Sequence, residues 1–478
     1  MLTRVLACAV ALPFLAPPVP SQDLPDRLLV GYWHNWVSSP NSLTLAQIPA
    51  AYDVVNVAFA TPSTPFGSTM EFAPDPGLYP AAGDFLADVQ ALQAAGKKVL
   101  ISIGGAADPI HLDTPADATA FATSMLGVIN TWGFDGLDID VEGTSLNIVG
   151  GDGDFTAPTS PRIVNMIGAI TQLLALLPPD FILTAAPETA NVQGGYSAYA
   201  GVWGSYLALL HAVRNELSYV HVQHYNTGSM FGRDGQIYIP ATADFHAAMA
   251  DMLIGGFPVA GGANFPPLRP DQVAIGLPAS PSAAGSGYTT PGPVHEALDL
   301  LYLGRTFGGS YALADPEGYP DFRGVMTWSV NWDVDAGGAF SSSHRTYLDD
   351  VLLATTPPSI SMPIGGTITL ELSAGLGNAG RAYFLVPTRS GTSPGVTLPG
   401  GLVLPVNPDS LTQLAYGPGG PAYFVGLFGS LDGAGDATAL VNVPALSAMS
   451  GFTVHFAYFL AFPAFDFVSP ARGVDLVP

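Results

Sequence analysis

The stretch Asp135-Gly136-Leu137-Asp138-Ile139-Asp140-Val141-Glu142 alternates acidic and apolar residues with the period of a β-strand. On a strand, Asp138, Asp140 and Glu142 share one face at roughly 6–7 Å per step, while Leu137, Ile139 and Val141 enter an apolar layer on the other. Three carboxylates in a row on a strand buried on its opposite face are costly to place in an ordinary core. Carboxylates set close enough to perturb one another are the groups that general acid–base chemistry uses, so this face is read as a catalytic site. A calcium loop is the competing template, with Gly143 at its sixth place, but its twelfth place holds Val149 where a bidentate Glu is required. A solvated acidic edge strand would not carry so consistent an apolar opposite face.

The elements that must position this strand follow from the flanking pattern. Strand-like runs are read at 28–33, 53–60, 98–104, 134–142, 181–187, 218–225, 272–277 and 324–330. Helical runs are read at 84–95, 116–132, 162–177, 199–216, 243–254, 294–303 and 344–353. Strands alternating with helices imply parallel strands joined by crossovers, and eight such units imply an α/β fold of the (β/α)8 TIM barrel type. An active site in that architecture lies at the C-terminal strand ends. Trp33, Glu142, Glu188, Tyr225, Asn226 and Trp328 all end or closely follow a strand. His221 and His224 invite a metal reading, but residues three apart on a strand face opposite sides, so no metal site is expected.

Composition narrows the partners. The chain of 478 residues carries a net charge of −24, and Lys97 and Lys98 are its only lysines. No basic patch exists to neutralise phosphate, which argues against nucleic acid and anionic membranes. Residues 1–21 read as a signal peptide: Arg4 supplies the charge, Val5 to Leu15 the apolar core, and Val19-Pro20-Ser21 the small residues for cleavage before Gln22. The single cysteine, Cys8, falls inside that segment, so neither a disulfide framework nor thiol catalysis is expected of the mature chain. No later segment is apolar for long enough to span a membrane. A secreted or cell-surface protein, monomeric, is the expectation.

After Leu353 the character of the chain changes. Thr355-Thr356-Pro357-Pro358 reads as a linker between a catalytic barrel at 22–354 and an accessory region at 359–478. Short apolar runs between Gly and Pro turns make that region a small all-β, sandwich-like C-terminal domain. All six tryptophans precede it, and its Tyr and Phe residues are expected to fill its own core.

Asp135–Glu142 resembles the DGxDxDxE signature of glycoside hydrolase family 18, the chitinases and their relatives. Further motifs are similar in the correct order: Ser102-Ile103-Gly104-Gly105, Ala185-Ala186-Pro187-Glu188, Gln223-His224-Tyr225-Asn226, Gly276-Leu277-Pro278-Ala279 and Met326-Thr327-Trp328-Ser329-Val330-Asn331-Trp332-Asp333. The resemblance implies that Glu142 protonates the glycosidic oxygen and Asp140 orients the substrate's N-acetyl group. It implies too that Asp138 shares a proton with Asp140 and that Tyr225 donates to the acetamido oxygen. Gln223 and Asn226 would add polar contacts and Trp328 the floor beneath the sugar. Tyr32 and Trp33 are placed among the substrate-binding residues. Glu188 would either hold substrate or cap a loop. The resemblance implies a secreted endochitinase acting on chitin or its oligosaccharides, retaining and substrate-assisted, with no cofactor. The alternatives are an endo-β-N-acetylglucosaminidase acting on N-glycans and a catalytically weak chitin-binding lectin. Retention of Asp138, Asp140, Glu142 and Tyr225 together argues against the lectin.

Overall fold

The computed structural model describes residues 24–38, 42–399, 401–447 and 450–478, so the segment read as a signal peptide lies outside the described residues. Eight parallel strands of the first sheet, which a short antiparallel Met70–Glu71 strand extends, form the barrel: β1 (Leu28–His34), β2 (Val54–Pro62), β3 (Lys98–Gly105), β4 (Gly136–Val141), β5 (Ile182–Ala185), β6 (Tyr219–Gln223), β7 (Val273–Pro278) and β8 (Gly324–Trp328). They pair in parallel in the order β1-β8-β7-β6-β5-β4-β3-β2, and β2 pairs back onto β1 with Val54 opposite Val30, which closes the barrel. The strands are apolar on both faces because both are covered. Leu28, Val30, Leu100, Ile182, Tyr219 and Met326 fill the interior, and Val55, Ile101, Leu137 and Ile139 meet the surrounding helices.

Those helices are α1 (Ala82–Ala94), α2 (Pro115–Trp132), α3 (Pro161–Leu174), α4 (Leu207–Ala212), α5 (Ala243–Gly255), α6 (Pro291–Leu303), α7 (Val330–Asp335) and α8 (Ala339–Asp350). The best-defined ends flank α2, the helix that feeds the acidic strand. Thr114 and Asp117 form a capping box, Pro115 opens the first turn, and Gly133 ends it in the left-handed conformation. The helix expected over 199–216 is reduced to α4. Gly201 and Gly204 adopt φ of 61° and 78°, and a Cβ on Gly204 would stand 3.0 Å from the Gly195 Cα. Close backbone packing of glycine turns has displaced the first half of that helix.

The chain then forms two antiparallel-dominated sheets from β9 (Leu353–Thr356), β10 (Ser359–Ser361), β11 (Gly366–Ser373), β12 (Ala382–Thr388), β13 (Phe424–Val425), β14 (Phe428–Ser430), β15 (Asp436–Val443), β16 (Phe452–Ala461) and β17 (Arg472–Val477). One sheet runs β9-β11-β15-β13 and the other β10-β17-β16-β12-β14. The segment expected to be a linker is ordered structure. Leu353–Thr356 pairs antiparallel with Thr369–Leu372, and the Pro358 carbonyl accepts from Asp475 N at 3.0 Å. Prolines stop a helix but suit a strand edge, and the pair is spent on the corner between β9 and β10. Arg305, just after α6, pairs with Asp436 of β15, and Arg472 pairs with Asp350 at 2.5 Å. Leu303, Leu353, Leu370 and Leu372 belong to one continuous apolar cluster across the seam. Among the described residues no helix is long and apolar enough to cross a membrane.

Candidate active site

Strand register explains the surroundings of Asp138. Ser102 on β3 and Thr184 on β5 lie directly opposite it, so all three side chains enter the barrel at one level. Asp138 Oδ2 accepts from the Tyr32 hydroxyl at 2.5 Å and from Ser102 Oγ at 2.7 Å. Its Oδ1 accepts from Thr184 Oγ1 at 2.6 Å and faces His221 Nε2 at 2.9 Å. Burial opposes the charge, but the attraction of His221 and the hydroxyl donors outweigh it and hold the carboxyl below its usual range. Asp138 is a fully buried carboxylate that stays ionised.

One turn of the pleat outward, Asp140 behaves in the opposite way. Burial, then the neighbouring Glu142 and Asp138, push its carboxyl well up. Glu142 is raised as well, chiefly by burial. The amide of Gln223 spans the pair: its Nε2 lies 2.9 Å from Asp140 Oδ1, 3.0 Å from Glu142 Oε1 and 3.0 Å from the Ala186 carbonyl. A hydrogen bond also joins Asp140 to Glu142. Donors from four other residues occupy Asp138, whereas Asp140 and Glu142 have Gln223 as their common donor. Like carboxylates this close resist joint ionisation, so their titrations are coupled and the pair holds a proton to higher pH than either carboxyl would alone.

The strand ends are shaped to let this face approach a substrate. Gly104 lies opposite Asp140 at φ 97°, and a Cβ there would meet the Asp140 carbonyl at 2.4 Å. Tyr206 ties down the end of β4, accepting from Val141 N at 2.7 Å and donating to Val141 O at 2.8 Å. Tyr225 is buried beside the carboxyls. Burial and the charges of Asp140 and Glu142 raise its hydroxyl well up, so it acts as a donor. Glu188 makes no capping bond with its side chain. Burial and the charge of Glu142 raise it, so it faces the site.

Trp328 borders an open cleft of about 750 Å³ that Trp36, Phe59, Glu71, Gly104 and Asp108 also line. Its ring lies 6.0 Å from Phe59 at 15° and 6.4 Å from Trp36 at 35°, making an apolar wall.

Two of the expected substrate contacts are corrected. Trp33 points away from the site: it is fully buried among Tyr79 and Phe85, and its indole donates to the Leu43 carbonyl at 2.9 Å. The period of two places it on the outer face of β1 once Tyr32 faces inward. Tyr32 is 1% exposed, and its hydroxyl is committed to Asp138, so it positions a carboxylate and is closed to substrate. Asn226 adopts φ 51° and its Oδ1 accepts from Gly285 N at 2.8 Å and Ser286 N at 3.3 Å, holding a loop. Sequence reasoning missed His221, Thr184, Trp36 and Phe59. His221 had a signal, because it shares the inward parity of Gln223 on β6. His224 faces the other way, against His246 at 3.1 Å, as the spacing implied.

A closed parallel barrel with perturbed, paired carboxyls at its C-terminal mouth and an aromatic-walled cleft defines a (β/α)8 glycoside hydrolase. Residues 28–275 match the profile of the glycosyl hydrolases family 18, and the chain belongs to that family. It is 50% identical over 332 residues to Chitinase Chi52 of Paenibacillus xylanexedens, covering 69% of this chain and 63% of that one. It is 51% identical over 327 residues to Chitinase D of Niallia circulans, covering 68% and 62%. The chain thus spans less than two thirds of the length of either relative. A family GH18 chitinase from Chromobacterium violaceum matches with a TM-score of 0.62 at 38% identity, over 69% of this chain and 85% of that one.

Proposed function

We propose that the chain is an exported chitinase that hydrolyses β-1,4 linkages between N-acetylglucosamine units with retention, using the substrate's own acetamido group. The observation that carries this reading is the contrast between the donor-rich surroundings of Asp138 and the crowded, buried pair Asp140 and Glu142. Asp138 is driven toward its ionised form by His221 and its hydroxyl donors, while burial pushes Asp140 and Glu142 up against the N–H donation of Gln223. Glu142, at the open end, donates its proton to the glycosidic oxygen as that bond breaks. Retaining glycosidases ordinarily place a second carboxylate on the opposite sugar face, but Asp138 and Asp140 share the strand of the acid and lie beside it. The 2-acetamido carbonyl oxygen then attacks the anomeric carbon and forms an oxazolinium ion. Asp140 accepts from the acetamido N–H, and Tyr225 donates to its carbonyl oxygen. Water, deprotonated by Glu142, opens the ring on the original face, and Trp328 supports the sugar throughout. The names of the relatives and the aromatic-walled cleft support chitin as substrate.

The test is cleavage of N-acetylglucosamine oligomers followed by NMR. Initial β-anomers, inhibition by a thiazoline mimic and inertness of fully deacetylated oligomers are expected. Initial α-anomers, or rapid cleavage of deacetylated chains, refute the mechanism and make Glu188 the first candidate for a missing carboxylate. Exclusive action on a high-mannose glycoprotein refutes the substrate.

A further inference from the structure

The outer face of the second C-terminal sheet carries aromatic rings where a solvated antiparallel face ordinarily carries polar residues. Phe428 of β14 stands opposite Phe384 of β12, which stands opposite Phe459 of β16. Tyr416 extends this row at one end and Phe465 at the other. Consecutive centres lie 6.4, 6.3, 5.4 and 5.9 Å apart, with planes inclined by only 24°, 21°, 15° and 30°. The inward neighbours Tyr383 and Leu385 fill the core, Phe459 and Phe465 lie half-buried against a second apolar cluster of Val386, Leu398, Leu404, Val406 and Ala457 on the outer face, and Phe428 and Tyr416 are 65% and 42% exposed.

Near-parallel rings in contact at about 3.5 Å between planes must slip sideways by about 4–5 Å at these spacings. They overlap like shingles, with Phe428 and Tyr416 the exposed rings at one end. We propose that this row is a binding platform for the surface of an uncharged β-1,4-linked N-acetylglucosamine polymer, an identity that rests on the function proposed above.

Three considerations select that occupant. The pyranose of such a polymer has all its ring substituents equatorial, so its flat faces are C–H surfaces that pack on the electron-rich face of an aromatic ring. Charge also fits: only nine charged residues lie between Ser359 and Pro478, and Arg381 and Asp466, near one end of the row, neutralise each other. A neutral partner approaches without desolvating charge, whereas the net charge of −24 opposes anionic ones. Finally, the row exposes on the order of 300–400 Å², well below the ~800 Å² per partner of a stable dimer. That is too little for a second copy of this chain.

The experiment measures adsorption of the full chain to crystalline chitin in a Glu142→Gln background, with the barrel cleft saturated by a soluble oligomer. Phe428→Ser and Tyr416→Ser, singly and together, are compared with the parent. Each ring should contribute about tenfold in affinity, the equivalent of roughly 55 Å² of apolar surface removed from water. On the Glu142 background, kcat/KM for soluble oligomers should be unchanged. Unaltered adsorption of the double variant overturns the proposal, as does a concentration-dependent dimer that the substitutions abolish. Adsorption that depends on the rings in a protein that never cleaves chitin refutes the proposed activity and leaves the platform standing. Cleavage of crystalline chitin that is indifferent to the rings does the reverse.

Discussion

His221 on β6 and Asp138 on β4 meet at 2.9 Å across the barrel interior, and both side chains are closed to solvent. The pair sits beneath the reacting groups and sets the charge against which they titrate. Replacing His221 by Asn removes the largest single influence that lowers Asp138, so that carboxyl rises. The acid limb of the kcat/KM profile should then move up by about one pH unit, with kcat falling more than KM changes. A role limited to packing would lower the melting temperature and leave the limb in place.

Gln223 predicts the opposite limb. Its amide favours the charged forms of Asp140 and Glu142, so Gln223→Ala should raise both carboxyls further. The acid form then persists to higher pH, and the alkaline limb shifts up by about one unit even as kcat falls. A downward shift would contradict the bridging geometry.

Glu142→Gln keeps the shape of the residue and removes its proton. Turnover should fall by about 10²–10⁴ or more, while titration calorimetry with a soluble oligomer shows binding largely intact. Substantial residual turnover would assign the acid elsewhere.

Three buried histidines make the fold sensitive to acid. Burial lowers His34 and His246 to about 4, and burial with the neighbouring His295 and His246 lowers His344 to about 3. Their unfolded values are near 6.5, so the unfolded chain binds more protons between those limits. Stability is full above about pH 6.5 and falls as pH drops toward 4, by about 1.4 kcal/mol per pH unit for each group. Thermal melts should show this slope on the Glu142→Gln protein, and His246→Gln or His344→Gln should flatten it. A melting temperature independent of pH from 4 to 6.5 would rule the linkage out.

The domain boundary is also open to test. We propose that the barrel folds without its C-terminal region, and the sheet pairing places the cut after Asp350. A fragment of residues 24–350 should act on soluble oligomers with a lower melting temperature, having lost Arg305–Asp436 and Arg472–Asp350. A fragment ending at Thr356 keeps Leu353–Thr356 without its partner β11, and that bare edge should promote aggregation. Equal solubility of the two fragments would count against the boundary.

Much of this architecture was legible in the sequence because its signals are local. The alternation at 135–142 fixed the acidic strand and its inward face, and Gly133 marked where α2 had to stop. The pattern failed where both faces of a strand are apolar. On β1, Leu28 through Trp33 offer no alternation, so nothing distinguishes inward Tyr32 from outward Trp33. It failed again at 199–206, where glycine turns read as a helix because their close approach to Gly195 is a tertiary fact. The partners of Asp138 come from four different strands, and only strand register brings Tyr32, Ser102, Thr184 and His221 to one level. Of the Tyr and Phe residues expected in the C-terminal core, Tyr383, Phe424, Phe456, Tyr458 and Phe467 lie there, while Phe384 and Phe428 sit on the outer face, because hydrophobicity reports burial and not which side of a sheet a ring occupies.

The seam between barrel and sandwich has a mechanical consequence. Two residues separate α8 from β9, and ion pairs bridge the seam from both sides, so there is no slack for one part to swing about the other. A module on a loose tether lets its enzyme sweep a volume around each anchoring point. Here the aromatic row and the cleft keep one separation and one relative orientation, as two feet of a rigid gauge do. Landing on a flat lattice therefore fixes the height and heading at which the cleft meets a chain. Under the function and platform proposed above, once the chains within that footprint are cut, new ones come into reach only when the whole molecule lifts off or slides.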